Sequence, residues 1–147
     1  MGEVDLTDTT RRWILRANAF FLILFGGSGF LLDLRAYFLG KGPQSVLIAN
    51  APHTAIGFVE AHGLAVIIGV LLWRARPSRP WHLTAATVHV LLGASNLLFW
   101  QIFVAGNVLP LGYVSTGLHW LFVVLHLWAA VGAPREGTTP AAAPAVA

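Results

Sequence analysis

Cysteine is absent from the 147 residues. That excludes a disulfide scaffold, thiol catalysis, Cys-ligated zinc, iron–sulfur clusters and covalently attached c-type haem. Charge is scarce as well. Only 10% of the residues are Asp, Glu, Lys or Arg, where soluble domains carry about 25%. Hydrophobic residues make up 56% of the chain, and so few charges cannot cover a water-facing surface. The chain therefore reads as an integral membrane protein. A net charge of +3 would suggest nucleic acid in a soluble chain. Here the basic residues sit at the ends of apolar segments and report topology instead, so the lipid bilayer is the expected partner and nucleic acid is not.

Apolar length divides the chain into an all-α, four-span domain over residues 1–131. The first ten residues, MGEVDLTDTT, are polar and acidic, with little to pack. Spans are expected at about 12–39, 52–73, 81–104 and 111–131, with a weakly apolar stretch at 46–49 between the first two. The first apolar run is long enough to span and lacks the Ala-x-Ala exit of a secretory signal, so it reads as a permanent helix. Pro52 suits a helix's first turn, and the turn holding Arg74, Arg76, Pro77, Arg79 and Pro80 separates the second and third spans. Residues 132–147, ending TTPAAAPAVA, are low in complexity and read as a disordered tail.

Seven of the nine basic residues, Arg11, Arg12, Arg16, Arg74, Arg76, Arg79 and Arg135, fall on one side of these spans, and Arg35 and Lys41 on the other. The positive-inside rule then puts both termini in the cytoplasm, in an inner membrane of bacterial type. Short turns make neighbouring spans antiparallel, which gives a four-helix bundle.

Polar groups inside the spans carry the functional signal, because the bilayer core makes them expensive. The second span holds Glu60 and His62, two residues apart and about 200° round a helix, so only one can face inward. Glu60, the costlier to bury charged, is expected to be that one. In the third span His82, His89 and Asn96 recur every seven residues and form one stripe; in the fourth, His119 and His126 repeat the step. Depths counted at about 1.5 Å per residue place His89 with His126 in an inner layer, and Glu60, Asn96 and His119 in an outer one. His82 and His53 fall at the interfaces, where water is expected to solvate them. The first span contributes Gly26, Gly27 and Gly29, where a backbone or flat ligand can approach closely. The span interiors hold one Glu and no Asp, which excludes a di-iron carboxylate centre.

Three functional readings follow. In the first, His89 and His126 clamp a b-type haem for electron transfer, and the arrangement resembles that of membrane b-type cytochromes. In the second, the protein is an intramembrane enzyme or binder of a small apolar molecule such as an isoprenoid or sterol-like lipid. Glu60 and His119 then act as acid and base, Asn96 and His62 orient the ligand, and Phe25, Phe58, Phe99, Trp100 and Phe122 line the pocket. The overall shape also resembles the small four-helix families of the DoxX type. In the third, the chain is a structural or assembly subunit whose polar groups bond helices together in a larger membrane complex. Transport of a proton or a metal, including a mononuclear site from Glu60 and two histidines, completes the set.

Overall fold

A computed structural model describes residues 6–131, and among these residues there are helices and turns but no strand. Six helices follow in order: α1 Asp8–Leu39, α2 Ser45–Asn50, α3 Thr54–Arg74, α4 Arg79–Leu98, α5 Gln101–Ala105 and α6 Leu109–Ala130. Three of them, α1, α3 and α6, are long and apolar enough to cross a membrane. The outward faces are apolar too, with Phe20, Leu31, Leu91 and Val124 all exposed. These are the features of a membrane protein. The fourth long helix, α4, has 20 residues, about 30 Å of rise. Its sequence is more polar, with His82, Thr84, Thr87, His89, Ser95 and Asn96 along it.

The helix ends have local causes. Thr7 caps α1, its hydroxyl accepting a hydrogen bond from the Thr10 backbone N–H at 3.2 Å. Gly40 ends the helix in the left-handed region at φ 63°, with its N–H on the Ala36 carbonyl. Proline occupies the first turn of α4 (Pro80) and of α6 (Pro110), where the missing N–H costs nothing. Two boundaries differ from expectation. The helix expected over 81–104 breaks at Phe99 and Trp100 and resumes as the short α5. The N-terminal segment also packs: Leu6 is buried against Ile14 and Ala129. The expected tail at 132–147 lies outside the described residues.

The long helices form two antiparallel hairpins, α1 with α3 and α4 with α6. Leu15, Ala19, Phe21 and Leu22 of α1 meet Leu72 of α3, Ala85 of α4 and Phe122 of α6 in the shared core. Small residues set the approach of α1 to α3, as the glycines of the first span suggest. A Cβ on Gly26 would lie 3.0 Å from both the Ala65 Cβ and the His62 carbonyl oxygen. Arg11 joins the hairpins at their basic end. It is almost fully buried, and its guanidinium donates to the carbonyls of Ala129 at 3.2 Å and Val131 at 3.4 Å. The last turn of α6 contains no basic residue of its own, so α1 supplies the cation that the helix's unpaired carbonyls attract.

The glycine contact gives a contrast within one tripeptide. Gly26→Leu has backbone on the facing helix in its way and should lose about 1–3 kcal/mol of stability, the usual cost of overpacking. At Gly27 an added Cβ meets only the Val66 methyl, at 3.9 Å, with no backbone in its way, so Gly27→Leu should cost much less. Denaturant unfolding in mixed micelles, followed by circular dichroism, compares the two; equal losses would refute a tight seam at Gly26.

Candidate functional site

Five interior polar side chains join into one chain that crosses three helices. The α4/α6 hairpin pairs histidines directly, His82 with His126 through their Nδ1 atoms at 3.0 Å, and His89 with His119 through theirs at 2.9 Å. Asn18 of α1 links the two pairs. Its amide nitrogen donates to His126 Nε2 at 2.6 Å, and its amide oxygen accepts from His89 Nε2 at 2.7 Å. His82, His89, His126 and Asn18 are completely buried, and His119 nearly so. Phe21 and Phe122 seal the flank: Phe122 stacks on His89 with ring centroids 5.0 Å apart, and Phe21 meets His119 edge-on at 5.7 Å. Further from the basic end, the half-buried Asn96 donates to the Ser115 hydroxyl at 3.1 Å.

A neutral imidazole has one donor and one acceptor nitrogen, so each link dictates the next. Asn18 donates to His126 Nε2, so the proton of His126 sits on Nδ1 and is donated to His82. His82 then carries its own proton on Nε2. On the other side, His89 donates from Nε2 to Asn18, so its Nδ1 must accept from His119 Nδ1. All four bonds therefore point from His119 toward His82. Turning the Asn18 amide over reverses every one of them. The terminal atom, His82 Nε2, is buried and has no hydrogen-bond partner among the described residues. Thr116 Oγ1, one turn from His119 at the other end, is likewise buried without one.

A second polar pair lies on the α1/α3 hairpin. Asp33, completely buried, accepts through Oδ2 from His62 Nδ1, while its Oδ1 has no partner among the described residues. Gly29 makes room for the ring, since a Cβ there would come within 2.5 Å of His62 Cδ2 and Nε2. The carboxylate fixes the imidazole's orientation and leaves Nε2 as its other functional nitrogen.

Several expectations need correction. Glu60 is exposed and His62 turns toward α1. Only one of them can face inward, and Asp33 and Gly29 give His62 both a partner and space. Glu60 and His119 therefore do not come together as acid and base, and no group of three or more metal-ligating side chains forms among the described residues. His62 and Asn96 sit on different hairpins and do not converge on one ligand. Of the aromatics expected to line a pocket, Phe25 and Phe99 face outward and Phe122 packs against the histidines. His53 is exposed, as expected, but His82 is completely buried rather than solvated.

His89 and His126 do lie side by side, with centroids 6.3 Å apart and planes 16° from parallel. Haem b does not fit between them in this arrangement. Both Nε2 atoms are held by Asn18, and both Nδ1 atoms by the other histidines. Two participants were missed, Asn18 and Asp33. Asn18 follows Arg11 by seven residues on the apolar stripe of α1, the same step that separates the histidines on α4 and α6.

Asn18 is the shared partner, so Asn18→Leu strands two buried imidazole nitrogens at roughly 1–3 kcal/mol each. The loss should appear as a lowered unfolding midpoint in micelles, while Ala17→Leu on the exposed side changes little. An unaltered midpoint in the Asn18 variant would contradict the bridge.

Comparison of the chain with protein-family models, with curated proteins and with solved structures returns no match, so function has to be argued from the site itself.

Proposed function

We propose that this protein is a four-span integral membrane bundle, with both termini cytoplasmic, that passes protons along its histidine column with Asn18 as the gate. The observation that carries the reading is the unbroken chain from His119 through His89, Asn18 and His126 to His82, with every link able to point the same way. From His82 to Asn96 the polar stripe on α4 covers about 21 Å, against a hydrocarbon core of about 30 Å. Helix association alone does not call for such a column. Interhelical hydrogen bonds measured in a membrane protein average only about 0.6 kcal/mol, and apolar packing supplies that without burying four imidazoles.

Imidazole suits the task because it accepts a proton at one nitrogen and releases another from the opposite one. A proton arriving at His119 Nε2 lets the Nδ1 proton pass to His89. At the basic end, His126 hands its Nδ1 proton to His82, which releases the one on Nε2. The amide between the two pairs is a poor carrier, because passing a proton through it creates a high-energy imidic acid. Asn18 must swing aside so that His89 and His126 exchange the proton directly or across one water. With Asn18 seated between them the column is closed.

The test is proton flux into vesicles of neutral lipid, driven by a potassium diffusion potential and read by an enclosed pH dye. Wild-type protein should conduct slowly. Asn18→Asp, whose carboxyl both accepts and donates, should conduct faster, and His126→Phe should fall to the leak of protein-free vesicles. If wild type and the Asp variant both match the empty-vesicle leak, the proposal fails.

A further inference from the structure

The lipid-facing flank of the α1/α3 hairpin carries a feature with no part in the histidine column. Near the basic end a groove of about 340 Å³ opens between the two helices, lined by Phe20, Ile23, Val70, Trp73 and Arg74. Its construction is legible in the spacing. Arg16, Phe20 and Ile23 stand at i, i+4 and i+7 on α1; Val70, Trp73 and Arg74 at i, i+3 and i+4 on α3. Each trio is one helix face, and the two faces converge. Gly69 lets the floor close, since a Cβ there would sit 2.8 Å from Ile23 Cγ1. At the basic end the Arg16 guanidinium lies 4.8 Å over the Trp73 ring. The described residues place no carboxylate in salt-bridge range of Arg16 or Arg74.

We infer that this groove binds one anionic phospholipid, with an acyl chain along Phe20, Ile23 and Val70 and the phosphate between Arg16 and Arg74. The apolar walls suit hydrocarbon, and the two cations, with no carboxylate partner among the described residues, suit a headgroup of net negative charge. Depth agrees with both. Arg74 is the last residue of α3 and Trp73 is an interfacial aromatic, so the cations stand at headgroup level. Phe20 lies about 6 Å deeper along α1 than Arg16. A basic site between helices at a membrane interface is a recurrent way of holding anionic headgroups. A free phosphate would use the arginines but not the slot; a zwitterionic lipid would use the slot but gain little from the arginines.

The experiment titrates the detergent-solubilised full chain with phosphatidylglycerol or phosphatidylcholine of identical acyl chains and counts retained lipid by native mass spectrometry. Wild type should retain one phosphatidylglycerol in preference to phosphatidylcholine. Arg16→Gln and Arg74→Gln should each weaken that preference about fivefold, and Arg35→Gln, at the far end of α1, should leave it unchanged. Val70→Trp alters no charge but fills the slot and should expel both lipids. Equal retention of the two lipids overturns the inference. So does an Arg35 effect as large as that of Arg16, undiminished phosphatidylglycerol binding in the Val70 variant, or displacement of the lipid by an equal concentration of inorganic phosphate.

Discussion

A side-chain amide presents a donor and an acceptor in one plane, and Asn18 uses both at once inside a membrane helix. Its nitrogen serves His126 and its oxygen serves His89. The rest of the interior follows from that placement. Each α4/α6 histidine pair is joined through its Nδ1 atoms and presents one Nε2, that of His126 or of His89, toward α1. Without an amide there, two ring nitrogens would lie in a dry core with nothing to bond. A carboxylate would offer acceptors to both and impose a charge; a hydroxyl is too short to span two rings. The amide also gives the chain its polarity, because its two ends differ.

Reading apolar length and small-residue spacing along the chain locates the long helices and the close approach at Gly26, since both depend on local pattern. The histidine stripes on α4 and α6 are legible for the same reason. Their pairing is not. The apolar run extends to residue 104, and its centre differs from that of α4, which stops at Leu98. The break at Phe99 and Trp100 moves the centre of the helix by about four residues, roughly 6 Å. That shift puts His89 opposite His119 instead of level with His126. Hydrophobicity continues through the break, so composition carries no trace of it.

Asn18 and Asp33 escaped for related reasons. Asn18 stands near the start of the span expected over 12–39, where a polar side chain is ordinarily solvated, and its partners His89 and His126 come from helices distant in sequence. Asp33 lies toward the end of a helix of 32 residues, where a carboxylate is ordinarily solvated. It is buried because α3 brings His62 to it. A partner 29 residues away is a tertiary fact that no local pattern encodes. The choice between Glu60 and His62 turned on the same point: charge cost favoured hiding Glu60, yet the available partner decided in favour of His62.

The equal seven-residue steps on α4 and α6 also act as a code for alignment. In the observed arrangement His82 meets His126, His89 meets His119 and Asn96 meets Ser115. Sliding one helix by a heptad would keep the apolar faces in contact, so apolar packing alone discriminates poorly between the two positions. In one slipped state His89 would meet His126, His82 would be stranded, and Asn18 would have no gap of the right width to bridge. In the opposite slip only His82 and His119 would meet. The buried polar ladder thus behaves as a vernier on an otherwise greasy interface, with α1 reading the alignment of the other two helices. Membrane helices that associate through small and apolar residues have few other means of telling one heptad from the next.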